Sequence, residues 1–187
     1  MLSRTLRSVL MLSLLSIPLI LSAELKNENL LQSIPTGYKI DYQIKQKNLI
    51  MMEMVPDKQS VNNWDEMVTT QIMLGLKNVT PETFQSSMQK MWSDTCKNSQ
   101  FVTLKQGKEN SYPFSFWLQL CPMNPSTGKA EITWFKAIQG NDSFYVVQKA
   151  FKFEPSEEQV TQWTQYLRSV TVCDTRLPNS LCPKLQD

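Results

Sequence analysis

The sequence contains no histidine among its 187 residues. Histidine is the side chain that most often changes its charge near neutral pH, and it is the commonest protein ligand of metals. Its absence excludes a Ser-His-Asp triad, a Cys-His protease, a His-ligated zinc or haem, and any imidazole acid or base. A large set of common enzymes is therefore ruled out before any motif is considered.

The chain also has almost no net charge. It carries 19 Lys and Arg against 17 Asp and Glu, and two of the cations, Arg4 and Arg7, lie in an N-terminal segment with the properties of a leader. Without these two arginines, the balance is 17 against 17. A neutral chain gives no electrostatic reason to expect nucleic acid or an anionic membrane surface as a partner.

Residues 1–23 have the organisation of a secretory signal peptide. Two arginines precede an apolar run that leads to the small residues Ser22 and Ala23, just before Glu24. The run is shorter than the about 20 apolar residues that span a bilayer, and it contains Pro18. A cleaved leader is therefore favoured over a membrane anchor. We expect a periplasmic or secreted protein with no stable membrane insertion after cleavage.

The four cysteines all follow the leader, and in an oxidising compartment an even number predicts disulfides. Four cysteines allow three connectivities. We favour Cys173–Cys182, which closes a short loop, and this choice leaves Cys96–Cys121. A thiolate zinc site would require paired C-x₂₋₄-C spacings, and redox catalysis would require C-x-x-C; the sequence has neither.

The rest of the chain reads as one domain. We interpret residues 24–36 as a polar, flexible lead-in and residues 37–187 as a single α+β domain that ends in the C-terminal disulfide loop. Alternation and β-branched residues predict strands, and capping residues predict two helices. The predicted strands are 38–45, 49–55, 66–74, 101–105, 112–120, 131–139 and 144–153, with a loop at 107–111, a turn-rich connection at 122–128, and helices starting after Thr80 and Ser156. Residues 64–76 could instead form a helix capped by Asn63 with Glu66, but the β-branched residues within 68–72 favour the strand.

We predict that the predominantly hairpin-paired strands form a single antiparallel sheet of about six to seven strands with two packed helices. This element order, together with Val55-Pro56, Trp64 and Trp163, resembles the PsbP-like α/β sandwiches over residues 38–170. It is also similar to small secreted bacterial proteins of unassigned function. The resemblance implies a binding or assembly factor without a common catalytic motif, so it assigns no site residues and no cofactor.

Two tryptophans are the candidate ligand-facing residues. In strand 112–120, Tyr112, Phe114 and Phe116 share one face and Trp117 lies on the other. In the next strand, Trp134 and its neighbour Phe135 likewise lie on different faces. If the helices covered only one face of the sheet, Trp117 or Trp134 could line a groove on the open face. If helices cover both faces, these aromatic side chains belong to the core.

Two other constellations give rival hypotheses. Met51, Met52 and Met54 could supply thioether ligands for Cu(I), although methionine is also an ordinary core residue. Four acids near strands could supply a pair of carboxylates for a hydrolase, provided that the fold brings two of them together. These acids are Glu53, Asp65, Glu66 and Glu131.

The leading hypothesis is an exported, non-enzymatic binding or assembly module. It follows from the predicted leader, the neutral charge, the lack of histidine and the lack of a catalytic motif. We expect no metal and no cofactor, and a partner that is an unknown protein or a small molecule. The alternatives are a carboxylate-based hydrolase and, second, a methionine-based copper-binding protein.

Overall fold

The structure is a computed structural model that describes residues 25–183. The predicted signal peptide, residues 1–23, lies outside the described residues. The elements in chain order are β1 (Glu28–Leu31), β2 (Tyr38–Lys45), β3 (Leu49–Pro56), β4 (Glu66–Leu74), α1 (Pro81–Thr95), β5 (Gln100–Glu109), β6 (Tyr112–Asn124), β7 (Lys129–Gln139), β8 (Ser143–Phe151), α2 (Glu157–Ser169) and β9 (Thr171–Asp174).

Seven of the strands form one antiparallel sheet in the order β2-β3-β4-β8-β7-β6-β5. The two remaining strands, β1 and β9, pair antiparallel with each other in a small second sheet. The α+β class, the single large sheet and the two packed helices are therefore confirmed. None of the helices among the described residues is long and apolar enough to cross a membrane.

The helix α2 covers one face of the sheet. Its stripe of Val160, Trp163 and Leu167 packs into a cluster with the alternate residues of the central strands. The sheet contributes Met54, Val68, Tyr112, Phe114, Phe116, Trp134, Ile138, Tyr145, Val147 and Phe151 to this cluster. This packing forms one apolar core between α2 and the sheet.

The helix α1 covers the opposite face. Phe84, Met88 and Trp92 pack on a cluster that contains Trp117 and Phe135 from the sheet. Met91 of the same helix lies outside this cluster and is 48% exposed. Because both faces carry a helix, the fold is a sandwich with two separate apolar cores.

Both helices begin at the predicted capping residues. The Thr80 hydroxyl accepts a hydrogen bond from the Thr83 backbone N–H, with Pro81 in the first turn of α1. Ser156 and Gln159 form a reciprocal capping box at the start of α2. These local signals were sufficient to place both helix starts.

The structure corrects the prediction of a flexible lead-in over residues 24–36, because residues 28–31 form β1. The carboxylate of Glu28 accepts hydrogen bonds from the backbone N–H groups of Asn141, Asp142 and Ser143, and from the Tyr145 hydroxyl. A Cβ atom at Gly140 would collide with this carboxylate. The β7–β8 turn therefore holds β1 in place through contacts between residues more than a hundred positions apart.

The loop predicted at residues 107–111 is also corrected. The strand β5 continues to Glu109, and only Asn110 and Ser111 form the turn to β6, both with positive φ (49° and 74°). This geometry is typical of a two-residue hairpin. The end of β5 was missed because it lies at the sheet edge, where nearly all its residues are exposed and no hydrophobic alternation is needed.

The two predicted disulfides are both present. Cys96 at the end of α1 is joined to Cys121 in β6, and Cys173 in β9 is joined to Cys182. The first bond ties the α1 layer to the sheet, and the second anchors the segment that follows β9. In the loop-entropy description, bonds with these sequence separations of 25 and 9 residues each contribute about 3 kcal/mol.

Candidate anion-binding site

A cavity of about 150 Å³ lies between the end of the sheet formed by β5, β6 and β7 and the C-terminal end of α2. Two phenylalanine rings and five charged side chains line it. The lining residues are Lys105, Lys108, Glu109, Phe114, Phe116, Lys136 and Arg168.

The strand register explains why these residues meet. Phe116 of β6 lies opposite Lys105 of β5 on one side and opposite Lys136 of β7 on the other. Directly opposed residues of antiparallel strands project to the same face, so a ring is placed between two lysines. Arg168, in the last turn of α2, supplies the cavity with a cation from the helix layer.

Lys136 is a buried lysine whose charge is neutralised by the protein itself. Its Nζ lies 2.7 Å from a carboxylate oxygen of Glu109 and donates to the backbone carbonyls of Arg168 and Val170. Burial lowers the pKa of Lys136, and the adjacent Glu109 carboxylate opposes that shift. Since carbonyls at a helix C-terminus carry partial negative charge, Lys136 acts as a C-terminal cap for α2.

The other three cations of the cavity differ from Lys136. Lys105, Lys108 and Arg168 are exposed, and none of them is in an ion pair within the described residues 25–183. Nζ of Lys105 lies 5.9 Å from the centroid of the Phe114 ring, and Nζ of Lys136 lies 5.3 Å from it. The cavity therefore combines an aromatic floor with three cations that a ligand could neutralise. This chemistry suits an anion attached to an apolar body.

A second charged cluster lies on the same face of the sheet and is closed to solvent. Lys149 is fully buried, and its Nζ lies 2.6 Å from both Glu66 Oε2 and Tyr38 Oη. The rings of Trp163, Phe151 and Tyr38 surround this ammonium group at 3.8, 4.4 and 4.8 Å from their centroids. Every side of the group is occupied by the protein's own side chains.

Burial lowers the pKa of Lys149 to about 8, while the Glu66 carboxylate acts in the opposite direction. Burial also raises the pKa of Tyr38, and the neighbouring Glu66 raises it further. A lysine of this kind would suit nucleophilic chemistry if a substrate could reach it. Because its side chain has no exposed surface, the cluster holds the core together and is not a ligand site.

The structure corrects the prediction that Trp117 or Trp134 lines an open groove. Trp117 is 0% exposed in the α1 core, and Trp134 is 5% exposed in the α2 core. Trp117 stacks on Phe135 with ring centroids 5.0 Å apart, and its indole N–H donates to Gln119. The two tryptophans lie on opposite faces of the sheet, and a helix covers each face.

The methionine cluster is divided by the strand. Met52 and Met54 pack in the α2 core, whereas Met51 lies opposite Gln71, whose side-chain amide donates to its sulfur. Thioethers on opposite faces of a sheet cannot bind one ion together. Among the described residues, no group of three or more acidic or cysteine side chains is placed to hold a metal ion.

The four candidate acids of the hydrolase hypothesis differ in their burial and in their ion-pair partners. Glu66 pairs with the buried Lys149, and Glu53 lies on β3, where burial raises its pKa. The sheet brings Asp65 and Glu131 to either side of Lys152, but Asp65 is exposed and pairs with Lys129 at 3.3 Å. An exposed carboxylate in an ion pair lacks the buried environment that keeps a general acid protonated near neutral pH.

The cavity residues were missed by the sequence analysis, although a signal for one of them was present. Lys136 occupies a core-facing position in the alternation between Trp134 and Ile138, and Lys149 does the same between Val147 and Phe151. A lysine on the apolar face of a central strand requires a partner, because an unpaired buried charge is very costly. Lys105, Lys108 and Arg168 carry no such signal, since exposed cations are common.

Comparisons with known proteins show little likeness. No family model matches the sequence, and no curated protein matches it significantly. Among solved structures, a mutant of protein Mog1 is similar in shape, with a TM-score of 0.43 and 10% sequence identity. The match covers 75% of this chain and 84% of that chain.

Proposed function

We propose that this protein is an exported binding module that holds a small organic anion in the cavity between β5, β6, β7 and α2. The observation that carries the proposal is the excess of cations around the two phenylalanine rings. Glu109 is the one carboxylate that lines the cavity, and it is already bound to Lys136. The charges of Lys105, Lys108 and Arg168 therefore remain available to a ligand. The resemblance to PsbP-like proteins also favours a binding role over a catalytic one.

The ligand chemistry follows from the lining. An aromatic or aliphatic body would pack on the rings of Phe114 and Phe116, and a carboxylate or phosphate would lie between the exposed cations. Such a cavity needs no metal to bind its ligand. Neither the hydrolase alternative nor the copper alternative has a comparable set of converging side chains among the described residues.

Phenyl phosphate is a suitable probe, because it combines one ring with a dianion. We expect isothermal titration calorimetry to detect binding to the folded protein, and we expect Arg168→Gln to weaken it about tenfold, the effect of one charge-assisted hydrogen bond. Lys105→Gln should have a similar effect. Affinity should fall as salt is added, since the exposed cations are screened.

The matched control is Lys58→Gln, which removes an exposed lysine from the turn between β3 and β4 and should leave the affinity unchanged. Phenol serves as the uncharged probe. Equal binding of phenol and phenyl phosphate would contradict the proposal, and so would an unchanged affinity in Arg168→Gln.

Export is the second element of the proposal, and the two disulfides support an oxidising compartment. Protein recovered from the periplasm or the medium should begin near Glu24, as measured by intact mass and N-terminal peptide mapping. Both disulfides should be present in the same material, because each cysteine has its partner in place. Intact residues 1–23 in a membrane fraction would show that the segment is an anchor.

A further inference from the structure

The strand β5 is an open edge of the seven-stranded sheet. It is hydrogen-bonded to β6 on one side, and among the described strands none pairs with its other side. Nine of its ten residues are exposed. An edge strand presents a row of backbone N–H and C=O groups that can pair with another chain. A stretch of ten residues is long enough to form a full strand with a partner.

Three apolar side chains lie exposed on this edge. Phe101, Val102 and Leu104 are 49%, 54% and 44% exposed, and they follow one another along β5. Soluble proteins usually protect edge strands with charges, bulges or covering loops. A bulge does occur at Leu104, but Leu104 itself and the preceding Phe101 and Val102 remain uncovered.

The opposite edge of the sheet, formed by β2, is protected from pairing with another chain. The strand β2 also has a bulge and an exposed Ile40, but the carboxylate of Asp41 in the bulge accepts a hydrogen bond from the backbone N–H of Val61. The loop between β3 and β4 is thereby attached to that edge. No comparable attachment joins the described residues to the outer side of β5, which distinguishes the two edges.

The strand β5 also forms the rim of the anion-binding cavity. Lys105 lies on the same face as Val102, because the β6 partners of these two residues are Phe116 and Leu118. Lys105 and Lys108 give the edge a positive charge, whereas Glu109 is engaged by Lys136. An apolar position and a cationic position therefore follow each other along one face of the open edge.

We propose that β5 binds an extended, acidic segment of a partner protein, which joins the sheet as a further strand. The segment carries an apolar side chain beside Val102 and, two positions along, a carboxylate beside Lys105. That carboxylate enters the cavity and is the anion of the proposed function, on which this inference rests. A second copy of this chain would bring only the same positive charges to the edge, so an acidic partner is the better fit.

The test uses the mature chain with both disulfides and a blocked synthetic peptide of about ten residues. In this peptide valine and glutamate alternate at every second position with threonine between them, so that one face carries both the apolar and the acidic side chains. Hydrogen exchange measured by NMR should show slowed exchange of β5 amides when the peptide is added. A peptide with lysine in place of glutamate should bind at least about tenfold more weakly. A peptide with alternate N-methylated amides should give no protection, since it cannot form the ladder.

Val102→Glu should weaken peptide binding at least about tenfold, because a carboxylate on the edge removes the apolar contact and repels the acidic peptide. The matched control is Ile40→Glu on the β2 edge, which should leave binding unchanged. Thermal unfolding of both variants checks that they remain folded. Arg168→Gln should also weaken the peptide, since the glutamate is expected to reach the cavity.

The outcomes separate the two proposals. If phenyl phosphate binds to the cavity while the peptide leaves the β5 amides unprotected, the strand-addition inference is wrong and the proposed function stands. If neither probe binds, both are wrong. If sedimentation shows a dimer that Val102→Glu dissociates in the absence of peptide, the edge pairs with a second copy, and the inference of an acidic partner is overturned.

Discussion

Glu66→Ala is expected to destabilise the protein by about 3–5 kcal/mol, because it leaves the ammonium of Lys149 buried and without its counter-ion. Lys149 has no exposed side-chain surface. Among the described residues, Glu66 has the only carboxylate within 4 Å of the Lys149 Nζ. The rings of Trp163 and Phe151 contribute cation–π contacts, but these cannot replace a full negative charge. Urea denaturation at neutral pH measures the change.

Removal of the lysine should cost less than removal of the glutamate. Lys149→Met places an apolar side chain among the three rings, and Glu66, whose side chain is 19% exposed, can turn its carboxylate toward water. Asp94→Ala is the surface control, because the Lys90–Asp94 pair on α1 is largely exposed and should contribute less than about 0.5 kcal/mol. A greater loss of stability in Lys149→Met than in Glu66→Ala would contradict this account.

The same lysine should give a pH signature of defined sign. Burial lowers the pKa of Lys149 to about 8 in the folded protein, below the about 10.4 of an unfolded lysine. Between these two values the unfolded chain binds the proton more strongly, so stability rises with pH. Relative to Lys149→Met, the parent protein should therefore gain stability between about pH 7.5 and 9.5. A constant difference between the two proteins over this range would contradict the lowered pKa.

Trp117→Ala is expected to cost about 4 kcal/mol, which is a large part of the total stability of a domain of this size. Its ring has no exposed surface, stacks on Phe135 and contacts the Phe84 ring of α1 edge-on. The truncation removes these contacts and also leaves the buried side-chain oxygen of Gln119 without its donor. Denaturant midpoints, with unchanged slopes, measure the loss.

Phe101→Ala is the matched control for Trp117→Ala. Phe101 lies on the neighbouring strand β5, opposite Gln119 of β6. Half of its side chain is already exposed. Its truncation should change stability by less than about 1 kcal/mol, because little apolar surface returns to water. Equal losses in the two variants would mean that the α1 core contributes far less than its burial implies.

The local elements of this fold could be predicted because their signals are local. Alternation over residues 38–45 predicts a strand, although the bulge at Asp41 places Ile40 and Tyr42 on opposite faces. Ser156 with Gln159 defines a helix start that needs no tertiary contact. The disulfide pairing was also predictable, since only one of the three connectivities closes the short Cys173–Cys182 loop. The leader, by contrast, remains a prediction from the sequence.

The order of the strands, and with it the candidate site, was decided by the tertiary structure. The sequence shows only that each tryptophan and its aromatic neighbour lie on different faces of their own strand. The structure places Trp117 and Trp134 on opposite faces of the sheet and shows that α1 and α2 cover both. Likewise, β1 is held by the pairing of Glu28 with a turn more than a hundred residues away, and a carboxylate in a polar segment carries no sign of such a partner.

The sequence by itself therefore determined the α+β class, the helix starts and the covalent framework of this protein. The tertiary structure decided which charges are buried and which converge. Lys105, Lys136 and Arg168 are separated by about thirty residues each along the chain, and they meet because β5, β6 and β7 are neighbours and α2 ends above them. The physical reason is that a periodicity reports only which side of its own element a residue occupies, whereas a binding site depends on which elements become neighbours.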